Sequence, residues 1–423
     1  MKRSGILLAL ILLGALGISA PRAQQDPGGA TQAAQCDPGA GCGIRLAARE
    51  KARKSKTSKQ AQPAPSTQEQ KKPPERTTYD EQDREAAVIP GLPGVRFWAD
   101  SFGSFADALP RDKGTWLILS SGGSSGAYGA GVLVGLSQVG KRPEFSVVTG
   151  VSIGAVMAPY AFLGAKYDDQ LRDSFLNLTS ADVFEDAVRA DSLVDTWPLK
   201  NSLAKRVTPE LLADVAAEHH KGRRLFVVTA DLDSERPVIW NMGAIAAHGT
   251  DAALKLFRDV LLAASAIPGV FPPVYIDAEA QDRKFQEMHA DGGVFGPFFV
   301  APPSWLIEGA SEQLPTDKLY VIIHSKLVPE FDVTGPEKIF ILGRTISAAV
   351  KAGAQAELAL LSAAAKRDGI ELNVAYVDGS FRQPAQTAFD QKQMTALFNF
   401  GLEQAKNGTA FRTHNPSGQA QTK

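Results

Sequence analysis

The chain has 423 residues, of which 44% are hydrophobic and 22% are charged, and its formal net charge is -1. This length and composition allow a sizeable core, so folding needs neither a disulfide framework nor a membrane span. A nearly neutral chain has no overall electrostatic attraction to nucleic acids or acidic partners, and any charge effect has to be local. We expect one large domain with tails.

The first residues have the pattern of a secretory signal peptide. Met1-Lys2-Arg3 supplies a positive start, and the apolar stretch at residues 6–18 is shorter than a transmembrane helix requires. We therefore expect a signal peptide at residues 1–20 and an exported protein, in the bacterial periplasm, the cell envelope or the medium. An uncleaved membrane anchor is the alternative. In an oxidising compartment Cys36 and Cys42 either form a disulfide or remain unpaired thiols.

Residues 21–87 are rich in Gln, Ala, Pro, Ser and Lys and have no apolar periodicity. This composition is typical of a disordered linker. A basic cluster at residues 51–59 either contacts anionic lipid headgroups or stays in solvent. Branched and aromatic residues return near Val88. We expect the folded domain to span residues 88–406 and a flexible tail to follow at residues 407–423.

A serine between two glycines lies at the centre of the predicted fold. Residues 147–148 are apolar, Gly150-Val151-Ser152-Ile153-Gly154 follows, and residues 155–158 favour a helix. Gly150 and Gly154 leave room for a tight turn between a buried strand and a helix. Such a turn holds the Ser152 hydroxyl at the carboxyl end of a sheet, beside the positive end of a helix dipole. An acyl-enzyme nucleophile occupies this position, although many such matches are plain turns.

A glycine-rich loop precedes this turn by about one strand and one helix. Residues 115–120 are predicted to be a buried strand, Gly122, Gly123 and Gly126 lie in the loop, and residues 127–139 are predicted to be a helix. This order points backbone N–H groups at an anion. The loop lacks the spacing of nucleotide-binding motifs, which favours an oxyanion hole at Gly122 and Gly123 over a phosphate cradle. Close packing of helix on strand is a third interpretation.

These motifs, with residues 263–274 and the triplet Asp291-Gly292-Gly293, resemble those of bacterial patatin-like phospholipases. Members of that family have a loop Gly-Gly-Gly-x-Arg/Lys-Gly, a Gly-x-Ser-x-Gly turn and a later Asp-Gly-Gly or Asp-Gly-Ala triplet. The resemblance covers about residues 116–300. It implies a catalytic dyad, with Ser152 as the nucleophile and Asp291 as the general base that accepts the serine proton directly.

The chain departs from the family pattern at Ser121 and Ser125, where the family has a glycine and a basic residue. This departure keeps open an alternative function, a lipid-binding or scaffold protein of the same fold with weak or no turnover. A Ser-Asp-His triad is the alternative for the base, because His324 follows a predicted strand. His289 is the second candidate, and a packed or hydrogen-bonded role is the other interpretation of both histidines.

No metal and no cofactor are expected. Asp231, Asp233 and Glu235 alternate before a predicted strand, but the loop lacks the central glycine and terminal glutamate of a calcium-binding EF-hand. A hairpin turn explains these residues. The six histidines are scattered along the chain and suggest no zinc site.

The remaining pattern alternates strands and helices, which predicts a three-layer α/β/α sandwich with a mostly parallel central sheet, of the patatin-like type. Helices are predicted at residues 167–183, 209–219, 339–365 and 386–406, and strands at residues 224–230, 237–240, 284–288, 319–323 and 370–377. Residues 294–300 either line a pocket for an acyl chain or pack in the core.

The sequence therefore predicts a serine lipid acyl hydrolase, a phospholipase or esterase, that cleaves carboxylic ester bonds through an acyl-enzyme. Its expected partner is a lipid or other ester substrate at a membrane surface. Nucleic acid is not expected, and the sequence indicates no protein partner.

Overall fold

The computed structural model describes residues 75–187, 189–309, 313–331, 333–336, 338–385 and 389–414, apart from the side chains of residues 338–340, 342, 343 and 414. Several predictions fall outside these residues: the signal peptide at 1–20, the basic cluster at 51–59, Cys36 and Cys42, and the end of the tail.

A mixed sheet lies at the centre of the described chain. The strands are β1 (Arg96–Trp98), β2 (Gly114–Leu119), β3 (Val147–Val151), β4 (Glu185–Asp186), β5 (Val194–Asp195), β6 (Arg224–Asp231), β7 (Arg236–Asn241), β8 (Val274–Ala280), β9 (Arg283–Asp291), β10 (Thr316–Ile323), β11 (Glu371–Tyr376) and β12 (Arg412–His414). Strands β6, β3, β2, β10 and β11 are parallel neighbours in that order. Antiparallel β7 and β1 extend the sheet beyond β6, and β12 extends it beyond β11, while β4 pairs only with β5.

Helices cover both faces of this sheet. They are α1 (Glu81–Ala86), α2 (Phe102–Ala108), α3 (Gly126–Gln138), α4 (Ile153–Leu163), α5 (Asp168–Leu176), α6 (Trp197–Arg206), α7 (Pro209–His220), α8 (Met242–Ala247), α9 (Asp251–Ala263), α10 (Pro303–Glu308), α11 (Lys338–Asp368) and α12 (Gln391–Lys406). Leu117 and Leu119 of β2 face a core that includes α3, α4 and α12. Trp116 and Ile118 face a second core with α2, α10 and α11. The predicted three-layer α/β/α fold is therefore confirmed.

Two strands meet end to end along one edge of β6. Strand β3 pairs with residues 224–228 in parallel, and β9 pairs with residues 229–231 in antiparallel orientation. Strand β7 occupies the other edge of β6 over residues 226–231, so β3 and β9 share the remaining edge. Their ends face each other at this junction, where Ser152 follows β3 and Asp291 ends β9.

Two predicted helices are too long. The helix predicted at residues 167–183 is α5, which ends at Leu176, followed by a separate turn. The Asp182 carboxylate accepts hydrogen bonds from the N–H (2.9 Å) and hydroxyl (2.6 Å) of Thr179. Thr179 is therefore the N-cap of a separate turn and not part of α5. The last helix begins at Gln391, because the Asp390 side chain caps the N–H groups of Lys392 and Gln393.

Both ends of the folded domain were placed too far inward. Helix α1 lies in the predicted linker, where Asp80 caps its first turn and buried Asp83 pairs with Arg283 on β9. Strand β12 lies in the predicted flexible tail and pairs with β11. The predicted bounds of 88 and 406 are therefore wrong by these two elements. Apolar periodicity cannot detect either element, since one is a short polar helix and the other a short edge strand.

Each helix in the described ranges is too short or too polar to cross a bilayer.

Candidate active site

Ser152 lies on the turn from β3 to α4 in a backbone conformation that L-residues rarely adopt, with φ 56°. The turn is tight because its flanking positions have no side chains. A Cβ on Gly150 would lie 2.4 Å from the Gly154 carbonyl oxygen, and one on Gly154 would lie 2.5 Å from the Leu119 carbonyl oxygen. Glycine is required at both positions by these contacts, as the sequence predicts.

Asp291 meets Ser152 across the junction between β9 and β3. The Ser152 hydroxyl donates a hydrogen bond to Asp291 Oδ2 at 2.6 Å. The other carboxylate oxygen, Oδ1, accepts the Gly293 N–H at 2.8 Å, and Gly292 and Gly293 form the turn that follows. The Asp291 N–H donates to the Ala266 carbonyl at 2.9 Å. Both oxygens and the backbone of Asp291 are therefore fixed.

Burial changes the basicity of this carboxylate. Asp291 is 5% exposed, and loss of hydration raises its pKa to about 6, although the hydrogen bonds from Ser152 and Gly293 act in the opposite direction. An aspartate with a pKa near 6 remains ionised at pH 7 and is a stronger base than an exposed aspartate. The pair can therefore transfer a proton from the serine hydroxyl to the carboxylate.

The glycine-rich loop runs beside this pair, between β2 and α3. Gly122 and Gly123 have positive φ angles of 156° and 54°, and Gly126 is the first residue of α3. The Ser121 N–H donates to the Pro297 carbonyl at 2.7 Å, which ties the loop to the segment after Asp291. Ser121, Gly122, Ser125, Ser152 and Asp291 line one cavity. The structure thus brings the predicted oxyanion loop and the predicted pair together.

A family model for patatin-like phospholipases matches residues 117–302, a span that contains the glycine-rich loop, Ser152 and Asp291. The chain carries a patatin-like phospholipase domain. This domain family is a family of lipid acyl hydrolases. The crystal structure of VipD from Legionella pneumophila is similar over 72% of this chain and 68% of that chain, with 11% identity and a TM-score of 0.30. No curated protein matches the chain in sequence.

His324 lies near the pair, but its ring faces elsewhere. Its Nδ1 lies 2.7 Å from the Ser120 carbonyl oxygen, so this nitrogen carries the proton. Its Nε2 is buried without a hydrogen-bond partner, and a Cβ on Gly129 of α3 would lie 2.3 Å from it. Burial lowers the pKa of His324 to about 4. This ring packs against α3 and does not take the place of a triad histidine.

His289 belongs to a buried network behind the pair. Its Nε2 lies 3.2 Å from Glu287 Oε2 and its Nδ1 lies 3.0 Å from the Thr229 hydroxyl. Arg96 donates to the other Glu287 oxygen at 2.7 Å. Both ring nitrogens of His289 are therefore engaged away from Ser152, in agreement with a hydrogen-bonded structural role.

The site of Ser152 and Asp291 opens into a cavity of about 500 Å³. Its apolar wall includes Ile267, Val270, Val294, Phe295, Ile346, Val350 and Leu397. Phe298 and Val300 are instead buried in the second core. The segment 294–300 therefore lines the pocket at its first residues and packs in the core at its last ones. The cavity is therefore suited to an apolar chain.

Helix α11 supplies cavity residues that sequence reasoning missed. Glu357 lines the cavity and accepts the Phe298 N–H at 3.4 Å, and burial raises its pKa to about 8. Lys351 of the same helix and Lys326 and Glu330 after β10 also line the cavity. The sequence predicts the helix, but its periodicity does not identify the face that meets the site.

The described residues contain no group of three or more histidine, cysteine or acidic side chains arranged to hold a metal ion. Asp231 instead accepts the Asp233 N–H at 3.0 Å and the Ser234 hydroxyl at 2.7 Å within the turn between β6 and β7. The predicted hairpin is confirmed by the antiparallel pairing of these strands.

Proposed function

We propose that this protein is a serine lipid acyl hydrolase, a phospholipase A or esterase, that works through an acyl-enzyme on Ser152. The observation that carries the proposal is the 2.6 Å hydrogen bond from the Ser152 hydroxyl to the buried Asp291 carboxylate, inside the matched patatin-like span. In this arrangement Asp291 is the general base and no histidine takes part.

The proposed first half-reaction uses the two side chains and the loop. Asp291 accepts the hydroxyl proton as Ser152 Oγ bonds to the ester carbonyl carbon. Backbone N–H groups of the loop at Gly122 and Gly123 stabilise the resulting oxyanion, and each well-placed donor contributes about 3–4 kcal/mol. The intermediate collapses as the carbon–oxygen bond to the alcohol breaks, and protonated Asp291 returns its proton to the leaving alcohol.

The second half-reaction regenerates the serine. Asp291 accepts a proton from water, whose oxygen attacks the acyl carbon, and the same loop stabilises the second oxyanion. The bond from Ser152 Oγ to carbon then breaks, Oγ regains the proton from Asp291, and a fatty acid is released. A pKa of about 6 suits a group that alternates between base and acid near neutral pH.

The substrate is proposed from the cavity. Its apolar lining accommodates an acyl chain. We therefore propose that the substrate is a lipid drawn from a membrane surface.

We also propose that the protein is exported, from the signal-peptide pattern of residues 1–20. A reporter active only outside the cytoplasm, fused after residue 90, should be active, whereas an inactive reporter that stays in the cytoplasm would contradict export.

A fluorophosphonate probe tests the hydrolase proposal, because it phosphonylates activated serines. The wild type should be labelled, and Ser152→Ala should not. Ser124→Ala is a matched control, since this buried serine lies in the glycine-rich loop itself but does not line the cavity, and it should be labelled like the wild type. A folded wild type that stays unlabelled would contradict the proposal and favour a lipid-binding protein without turnover.

A further inference from the structure

Several apolar side chains project into solvent after β10 and at the start of α11. Phe331 is 94% exposed and Val333 is 81% exposed, and Val328 and Ile341 are exposed as well. We name these four residues the rim surface. Full exposure of a phenylalanine is unfavourable unless another surface covers it, because burying such a side chain is worth about 1.5–3 kcal/mol.

The rim surface is fixed to the wall of the catalytic cavity. Glu330, next to Phe331, accepts hydrogen bonds from Lys326 at 2.8 Å and from Lys351 of α11 at 2.7 Å. Arg344 donates to the Glu330 carbonyl, one turn of α11 beyond Ile341. Lys326, Glu330 and Lys351 line the cavity that contains Ser152 while their side chains remain partly exposed, so they mark its mouth. The rim surface therefore borders the entrance.

A second apolar stretch lies at the same cavity. Val294 and Phe295, in the segment after Asp291, line the cavity and are exposed to solvent. Apolar side chains thus come to the surface from two separate parts of the chain around one cavity. A ligand that meets both must present a broad apolar surface.

The charged side chains at the mouth indicate which kind of apolar ligand surface fits there. The described side chains there include four cations, which are Lys326, Arg344, Lys351 and Arg382. The described carboxylates nearest these cations are Glu330, which pairs with Lys326 and Lys351, and Asp378, which interacts electrostatically with Lys326. Glu357 also lines the cavity, but burial raises its pKa to about 8 and keeps it neutral at pH 7. Asp332 and Glu337 of the same stretch lie outside the described residues. A positive rim around apolar side chains complements an anionic lipid surface.

We propose that the rim surface binds an anionic phospholipid bilayer, with Phe331 and Val333 in the boundary between headgroups and acyl chains and the cations over the headgroups. This inference rests on the proposed function in one respect, because a lipid substrate has to enter the mouth from the bilayer. It assigns a docking surface and a lipid class that the hydrolase proposal does not require.

Vesicle sedimentation in a Ser152→Ala background tests the surface without hydrolysis. Vesicles contain phosphatidylcholine with or without phosphatidylglycerol. The protein should sediment with the anionic vesicles, and Phe331→Ser should bind about tenfold more weakly because one inserted side chain is lost. Ile307→Ser is the matched control. Ile307 is 64% exposed, but it lies near Arg367 at the other end of α11, about 34 Å from Arg344 along the helix. Its binding should equal that of the parent.

Binding to anionic vesicles should also weaken in high salt, because the Debye length falls from about 10 Å at 0.1 M to 3 Å at 1 M. Absence of vesicle binding, equal binding by Phe331→Ser, or self-association through Phe331 in place of vesicle binding would overturn the inference. In the active protein, Phe331→Ser should hydrolyse a soluble short-chain ester at the normal rate. Vesicle binding without cleavage of any ester would contradict the proposed function and leave the docking surface standing.

Discussion

Replacement of Asp291 by asparagine separates the charge of this residue from its packing. The side chain is buried, accepts the Gly293 N–H through Oδ1 and the Ser152 hydroxyl through Oδ2, and has a pKa of about 6. Asparagine has the same shape and never ionises. Its Oδ1 keeps the Gly293 bond, and its Nδ2 donates to Ser152 Oγ in place of accepting from it. The variant therefore loses the base and little else.

The rate should depend on the ionised form of Asp291. With a pKa of about 6, the carboxylate fraction is about nine-tenths at pH 7 and about one-tenth at pH 5, so kcat/KM should fall nearly tenfold between these values. Asp291→Asn should lower kcat by at least about a hundredfold at pH 7. The assay is hydrolysis of a soluble nitrophenyl ester across this pH range, with substrate blanks at each pH.

The Asp291→Asn substitution should lower the rate but raise the free energy of unfolding at alkaline pH. The folded pKa of Asp291 is raised from 3.8 to about 6, so the folded protein holds this proton more tightly than the unfolded chain. The resulting stability is full below the unfolded pKa and is lost as the pH rises through about 6. At pH 8 the buried charge costs about 3 kcal/mol, and asparagine avoids it. Urea unfolding should find the variant more stable at pH 8 and similar to the wild type below about pH 4.

Two results would refute this reasoning. A flat rate between pH 5 and pH 7 would point to a base of lower pKa, and His324 at about 4 fits that description. A variant less stable than the wild type at pH 8 would show that the carboxylate stabilises the fold, in conflict with a pKa raised by burial.

Three further variants test neighbouring parts of the site. Glu357→Gln should preserve activity above pH 8, where the wild type should slow because a carboxylate forms in the cavity; equal decline in both would contradict this. His324→Asn, which keeps a donor for the Ser120 carbonyl, should retain kcat/KM within about threefold, and a larger loss with an intact fold would restore the triad. Gly154→Ala should lower the free energy of unfolding in urea by about 1–3 kcal/mol, because its Cβ would contact the Leu119 carbonyl. Unchanged stability would show that the turn can shift to accommodate a Cβ at this position.

The sequence predicts the local geometry of the site well. The turn at Ser152 follows from two glycines between an apolar strand and a helix, and the same argument places Gly122 and Gly123 at the end of β2. These predictions succeed because strands, tight turns and helix starts depend on neighbouring residues. The separate turn that starts at Thr179 and the start of the last helix at Asp390 were missed, although both depend on local caps, because the apolar pattern continued past them.

Long-range features could not be predicted in this way. Ser152 and Asp291 are 139 positions apart, and their contact depends on β3 and β9 sharing one edge of β6. The raised pKa of Glu357 depends on burial by elements far away in sequence. His324 was correctly placed at the end of β10, but its ring direction depends on packing against Gly129, which no spacing reveals.

Direct observation of the acyl-enzyme tests the central claim. The enzyme is mixed rapidly with a nitrophenyl ester, quenched in acid and digested, and the peptide that contains Ser152 is examined by mass spectrometry. We predict a burst of nitrophenol and an acyl adduct on Ser152, with neither in Asp291→Asn on the same timescale. Turnover without an adduct, or an adduct on a different residue, would contradict the account.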